Sequence, residues 1–320
     1  MKNKTITIQV LDTDNIRIDQ YLVNHFKNLS RSQIQKEINL KRIQVNNELI
    51  SKSGYKVFQN DVITITSFLE QNNDQQENKI SKETTTVDFN NINIFVLYED
   101  EYFLVLDKPN DLLVYETIHD ESLTLSNYLK FKYPNLVFED QQRYGIVHRL
   151  DRKTSGLILV AKTQSAFEKL SHLFQERLIN KKYICIVHNC FSDLSKKIKI
   201  ANEIGRSFQN TYKMQVGSGK DLKEAITIIK IIKNISNTHA LVECDLVTGR
   251  THQIRVHMKY INHPILNDEL YGIEKQCSEY GQYLYCSHID FIHPFTNKPT
   301  SIDLDLPIEF KEKIEELENA

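Results

Sequence analysis

Residues 69–88 hold three apolar side chains, Leu69, Ile80 and Val87, in a run otherwise built from Gln, Asn, Glu, Asp, Lys, Ser and Thr. A stretch of that composition buries too little apolar surface to offset the conformational entropy lost on ordering it. No single hydrophobic core can therefore run through the chain. Its 320 residues must divide into a small module ahead of the polar stretch and a larger one behind it. The expected boundaries are a first domain over 14–68, a linker over 69–90, a second domain over 91–310 and an acidic tail over 311–320.

In the first module Ile18, Tyr21, Leu22 and Phe26 recur at i, i+3, i+4 and i+8, the spacing of one helix face. Ser30 with Gln33 has the form of a capping box, and Leu29 with Ile34 that of a hydrophobic staple, which predicts a second helix from near Arg31. That helix would turn Ile34 and Ile38 inward and Arg31 and Lys36 outward. Arg42-Ile43-Gln44-Val45-Asn46 alternates as a strand, Asn46-Asn47 makes a turn, and Tyr55–Thr66 reads as further strand.

Behind the linker, Ile94–Tyr98 and Tyr102–Leu106 read as strands around the turn Glu99-Asp100-Glu101. Gly156–Ala161, Tyr183–Val187, Ile226–Ile232 and Ala240–Cys244 have the same apolar character, and Ser165–Leu178 has a helical one. The expected class is α+β: a small α-α-β module followed by a larger mixed, mainly antiparallel sheet domain.

Net charge is −2, but the charges are segregated. Residues 143–188 carry nine Lys/Arg against three Asp/Glu, and residues 14–65 carry eight against five, whereas residues 303–320 carry two against seven. Phosphate binding follows local potential rather than whole-chain charge, so this distribution is compatible with an RNA partner. The five cysteines show no C-x-x-C pair, which leaves neither a disulfide framework nor a zinc site to expect. No apolar run approaches the length of a membrane-spanning helix, and the N-terminus lacks an apolar signal core, so a cytoplasmic protein is expected.

Three segments carry residues suited to chemistry. The first is Gly145-Ile146-Val147-His148-Arg149-Leu150-Asp151-Arg152-Lys153-Thr154-Ser155-Gly156, running into the apolar strand that ends at Ala161. A carboxylate in such a loop is held at the end of a strand, where the scaffold is rigid. The second is Lys181-Lys182-Tyr183. The third is Thr248-Gly249-Arg250-Thr251-His252-Gln253-Ile254-Arg255-Val256-His257-Met258, with His263-Pro264-Ile265 and Asp268 after it. Gln253–Val256 alternates as a strand, which places Arg255 on an apolar strand. A buried guanidinium there needs a carboxylate partner, for which Asp151 is the expected choice. His252 and His257 read as hydrogen-bonding or core histidines rather than metal ligands, and no metal site is expected.

These three segments, in this order, resemble motifs I, II and III of the RluA-type pseudouridine synthases. Tyr98–Val114, with Lys108-Pro109 at its centre, resembles the part of that family just ahead of motif I. Ile16–Leu22, Ser30–Ile34 and Arg42–Asn46 resemble the S4 RNA-binding domain. The resemblance implies that Asp151 is the catalytic aspartate, that Arg149 enters the space left by a flipped uridine, that Tyr183 stacks on the flipped base and that Arg255 pairs with Asp151. It also implies RNA contacts by His148 and, in the S4-like module, by Arg17, Arg31, Ser32, Lys36 and Arg42. No cofactor is implied, since isomerisation conserves every atom and electron. The S4-like module favours ribosomal RNA over tRNA as partner, and a monomer is assumed. Lys153, Tyr115 and the absence of glycine after Pro109 depart from the family pattern near the entrance to the site, and bear on which uridine is chosen.

Two other classes compete. A non-catalytic RNA-binding assembly factor would keep its function after Asp151→Asn. A glycosidase would need a second carboxylate beside Asp151, and the segments offer none but Asp268.

Overall fold

The computed structural model describes residues 4–11, 15–26, 31–52, 54–67, 93–116, 122–273 and 277–320. They fall into two compact units, residues 1–84 and 85–320.

The first unit comprises β1 (Lys4–Gln9), β2 (Ile16–Arg17), α1 (Ile18–His25), α2 (Arg31–Asn39), β3 (Ile43–Val45), β4 (Glu48–Leu49), β5 (Lys56–Val57) and β6 (Val62–Ser67). The helical spacing does what it predicts: Ile18 and Leu22 of α1 meet Ile34 and Ile38 of α2 over Ile43, Val45, Ile63 and Ile65 of the sheet. Asn46 and Asn47 both have positive φ (52° and 70°), the conformation of a two-residue hairpin turn that asparagine tolerates. Ser30 and Leu29, expected to cap and staple α2, lie outside the described residues.

One strand falls outside the expected boundary. β1 precedes residue 14 and pairs antiparallel with β6 from Lys4↔Ser67 to Gln9↔Val62. The Thr-Ile alternation of Thr5–Ile8 is a period-two signal, and Ile8 and Val10 enter the core.

The second unit is built on a ten-stranded sheet. Its strands are β7 (Phe95–Glu99), β8 (Phe103–Lys108), β9 (Ser155–Ala161), β10 (Asn180–His188), β11 (Lys197–Arg206), β12 (Met214–Val216), β13 (Lys220–Asn234), β14 (His239–Leu246), β15 (Leu284–Ile292) and β16 (Pro299–Asp303). The order is β12-β11-β13-β14-β10-β15-β9-β8-β7, with β16 on β15. The ladders are antiparallel apart from β15 with β9, which run parallel through Tyr285↔Ser155 and Cys286↔Gly156. Every residue of β9 is buried, which explains its unbroken apolar run: a strand covered on both faces loses the alternation of a half-exposed one.

Four helices accompany this sheet: α3 (Leu125–Lys132), α4 (Gln164–Gln175), α5 (Gln253–Tyr260) and α6 (Ile308–Glu318). Two of them correct the sequence reading. Gln253–Val256 is helical, not strand. Residues 253–258 are all buried, so the apolar-polar alternation reflects a helix covered on every side, with its polar members held by hydrogen bonds. The expected acidic tail is also helix. Phe310 and Ile314 of α6 pack on Ile184, Ile186, Tyr283 and Tyr285, while the glutamates take the outer face.

Candidate active site

The loop between Gly145 and Ser155 is tied down from three directions. Leu159 N–H donates to His148 Nε2 at 2.9 Å, drawing the loop onto β9. Lys108, fully buried at the end of β8, donates to the carbonyls of Pro109 (2.8 Å), Leu112 (2.8 Å) and Arg152 (3.0 Å). Those three bonds use all three hydrogens of an ammonium group, while burial pushes its pKa down to about 7. Gly156 has φ +107°, and the backbone of Cys286 passes 2.3 Å from where a Cβ would stand. Only glycine fits the point where motif I joins the parallel strand pair.

This holds Asp151 at the floor of a cavity of about 530 Å³. Its Oδ2 accepts from Arg255 Nη1 at 2.9 Å. Arg255 is itself clamped from behind: Nε and Nη2 donate to Asp268 Oδ2 and Oδ1 at 2.7 and 2.8 Å. Asp268 Oδ1 also accepts from the backbone N–H groups of Leu270 and Tyr271 at 2.9 and 3.0 Å. Burial opposes ionisation of Asp151, but the positive charges of His252, Arg255 and Arg149 outweigh it and hold the carboxyl below its ordinary value. His252 is itself pushed down by burial, so at neutral pH the effect rests on the guanidinium groups. Arg255, whose own pKa is raised by its two carboxylate partners, stays charged throughout.

α5 supplies this arginine, and the loop ahead of it explains why. Gln253 accepts on Oε1 from Thr248 Oγ1 (2.8 Å) and Arg250 N (3.0 Å), and its Nε2 donates to Ile226 O and Thr227 Oγ1, both at 3.0 Å. One buried amide thus folds Thr248–Thr251 onto the helix start. His252 takes the left-handed conformation there (φ 55°). Its Nδ1 lies 3.0 Å from the hydroxyl of Tyr271, which accepts from Met214 N–H at 2.7 Å. The ring of Tyr271 lies 5.3 Å from the Arg255 guanidinium.

Tyr183, near the start of β10, is buried in the cavity wall; burial and the neighbouring Cys286 thiol raise its pKa well above the ordinary value. Lys181 lies 5.0 Å from the Phe174 ring, with its pKa lowered by burial. Among the cavity-lining residues, Arg149, Arg177, Lys181, Arg250 and Arg255 are cationic and Asp151 alone is acidic. The opening therefore favours a polyanion. Arg149 is exposed at this lining.

Several expected RNA contacts have partners within the chain. His148 is held well below its ordinary pKa by burial and by Lys181, and its ring packs 4.7 Å from that of Phe174. It anchors the loop as a neutral group rather than offering a charge to phosphate. Arg17 is bidentate to Asp19 at 3.0 and 3.1 Å, because that fully buried carboxylate requires a partner. Arg42 Nη1 pairs with Glu37 at 3.3 Å. Arg31, Ser32 and Lys36 sit on α2, but their side chains lie outside the described residues.

His257 is a core residue, fully buried with Nδ1 2.9 Å from Thr227 Oγ1. Lys153 pairs with Glu269, and the Tyr115 hydroxyl donates to Ile146 O at 3.1 Å. Tyr271 was not singled out in the sequence, and Lys108, His252 and Asp268 were named there without the roles that they take in the site. Asp268 alone left a signal, since a buried arginine beside one partly exposed carboxylate has donors to spare.

Comparison with known proteins agrees with this arrangement. The RNA pseudouridylate synthase family profile matches residues 102–260, and the S4 domain profile matches residues 16–63. An uncharacterized RNA pseudouridine synthase of Mycoplasma pneumoniae is 36% identical over 94% of this chain and 92% of its own length. Ribosomal large subunit pseudouridine synthase D of Buchnera aphidicola is 32% identical over 92% of each. Among solved structures, human RNA pseudouridylate synthase domain containing 1 shares the fold, with a TM-score of 0.56 at 23% identity over 67% of this chain and 84% of that one. The cationic cavity, its buried Asp151–Arg255 pair and these similarities together place the chain in the RNA pseudouridine synthase family, with an S4 domain ahead of the synthase domain.

Proposed function

We propose that this enzyme isomerises one or more uridines of large-subunit ribosomal RNA, taking each target base out of its stack and into the cavity over Asp151. The observation that carries this reading is the ionised Asp151 carboxylate on Arg255, at the floor of an opening lined by cations. The reaction breaks the N1–C1′ bond, forms C5–C1′, releases the proton from C5 and leaves one on N1. Asp151 is the group placed to act on the nucleotide, as nucleophile or as general base.

A uridine in folded RNA hides its glycosidic bond, and extruding it costs a few kcal/mol of stacking. The Tyr183 ring offers the base a replacement face, on the order of 1–3 kcal/mol. Arg149 fills the space the base leaves. Arg31, Ser32 and Lys36 of the S4 domain hold phosphates of the same RNA. The ribosomal target is supported by relatives named ribosomal large subunit pseudouridine synthase D and C.

The test is Asp151→Asn in a strain lacking the chromosomal copy, with uridine-specific chemical mapping of its large-subunit RNA. The expected result is loss of at least one pseudouridine, restored by the wild-type chain and not by the variant, while the purified variant still binds RNA. A full set of pseudouridines in the deletion strain would overturn the reading.

A further inference from the structure

The ribbon formed by β11, β12 and the first part of β13 projects two aromatic rings where nothing among the described residues of this unit covers them. Phe208 is 67% exposed and Tyr212 71% exposed, and both lie in the turn between β11 and β12. That turn is ordered by its own hydrogen bonds. Ser207 Oγ accepts from Gln209 N and Asn210 N at 3.3 Å each, Asn210 Oδ1 accepts from Tyr212 N at 2.9 Å, and Arg206 Nη1 donates to Thr211 O at 2.5 Å. The rings are therefore displayed by a fixed scaffold.

Charge accompanies them. Residues 206–223 contain Arg206, Lys213, Lys220 and Lys223 against one acid, Asp221. The register sets Arg206 opposite Lys220 and Ile204 opposite Lys223. Ile204 in turn pairs with Val216 and packs with Val256 and Tyr271 of the active site. Directly opposed residues share a sheet face, so Lys223 stands on the face turned toward the site; the Arg206–Lys220 pair lies beyond a bulge, at the end of the β11–β13 ladder.

The ribbon is also continuous with the cavity rim. Glu224 pairs with Arg177 at 2.9 Å, and its carbonyl accepts from Arg250 Nε at 2.9 Å; both arginines line the cavity.

We propose that this ribbon is a second RNA-contact surface, on which Phe208 and Tyr212 stack unpaired nucleotides flanking the extruded uridine while Lys220 and Lys223 hold their phosphates. Exposed aromatics among cations suit single-stranded RNA, because every base presents a π-face and every nucleotide a charge. An apolar protein partner would gain nothing from four cations, and a second copy of this chain meeting it ribbon to ribbon would bring like charge against like. The proposal rests on the isomerase reading for its substrate.

The experiment uses the full chain and an unmodified large-subunit rRNA transcript labelled with [5-³H]uridine, with tritium release as the activity. Phe208→Ala/Tyr212→Ala is expected to raise Kd and KM about ten-fold or more, with kcat within about two-fold and Tm unchanged. Phe208→Tyr/Tyr212→Phe is expected to retain wild-type binding. Lys220→Ala/Lys223→Ala is expected to flatten the dependence of log Kd on log salt by roughly 1.4 between about 50 and 200 mM, at about 0.7 per phosphate. Unchanged Kd in the aromatic double variant, or a loss confined to kcat, overturns the proposal, as does a variant whose only defect is lost self-association. Asp151→Asn run in parallel separates the two ideas. If the wild-type chain releases no tritium, the isomerase reading fails; if Asp151→Asn turns over, the role given to Asp151 fails; if the wild type is active while the aromatic variant binds normally, the ribbon alone fails.

Discussion

Arg255 and Asp268 form a bidentate pair at 2.7 and 2.8 Å, both almost wholly buried, and the pair leaves one guanidinium nitrogen free to reach Asp151. The Asp151 carboxylate is therefore oriented by a group that is itself oriented. Removing the rear carboxylate leaves the buried cation with Asp151 as its one carboxylate in this site, at a cost of up to about 3 kcal/mol. Asp268→Asn is expected to lower the urea midpoint accordingly and to reduce kcat by about a hundred-fold or more, because a loosely held Arg255 no longer fixes Asp151. Steady-state kinetics on protein verified as folded provides the check; an unchanged kcat would show that Asp268 serves stability alone.

Lys108 gives a pH signature. Its folded pKa of about 7 lies below the unfolded value of about 10.4. Between those two values the unfolded chain binds more protons, so the lysine's contribution to stability rises with pH across that window. Lys108→Met removes the titration and leaves three carbonyls without their donor. The variant is expected to be less stable than wild type, and its deficit to widen from about pH 7 toward about pH 10. Denaturation at several pH values measures this, and a deficit constant with pH would contradict it.

Gly156→Ala places a methyl group within 2.3 Å of the Cys286 backbone at φ +107°. Strand β9 or β15 must shift. A loss of at least about 3 kcal/mol is expected, in the range of core overpacking with added backbone strain, and turnover falls with it because Asp151 hangs from this join. A variant with native Tm and activity would sink the argument.

α6 offers the plainest contrast between two readings of one segment. As an acidic tail, its truncation would be silent. As a packed helix, Ile314→Ala is expected to cost about 2–5 kcal/mol, read as a lower thermal midpoint, with RNA affinity at a permissive temperature unchanged.

The sequence made strands and helices legible where burial is one-sided, as in α1 with Ile18 and Leu22, and where it is two-sided in a short apolar run, as in β9. It misled where a helix is buried all round: Ile254, Val256 and Met258 alternate with Arg255 and His257, and period two outweighed period 3.6 over so few residues. The α6 glutamates masked Phe310 and Ile314 in the same way. In the site, Asp151 and Arg255 were legible as a pair because a buried cation demands an anion. Asp268 was half-legible, since the spare donors of a buried arginine call for a second carboxylate; Tyr271 and Lys108 were not, since their roles depend on packing that no local spacing encodes. Arg17 and Arg42 pair with Asp19 and Glu37, two and five residues away; proximity in sequence does not by itself say whether two such side chains meet.

The parallel join of β9 to β15 has a consequence for the timing of activity. Gln282 reaches back across 128 residues to Thr154, and Arg255 across 104 to Asp151. Contacts of such separation are the slowest to close, and during synthesis they wait for the later partner to emerge. A nascent chain can thus display the whole of motif I without an assembled centre. The enzyme becomes competent only when nearly all of it has been made.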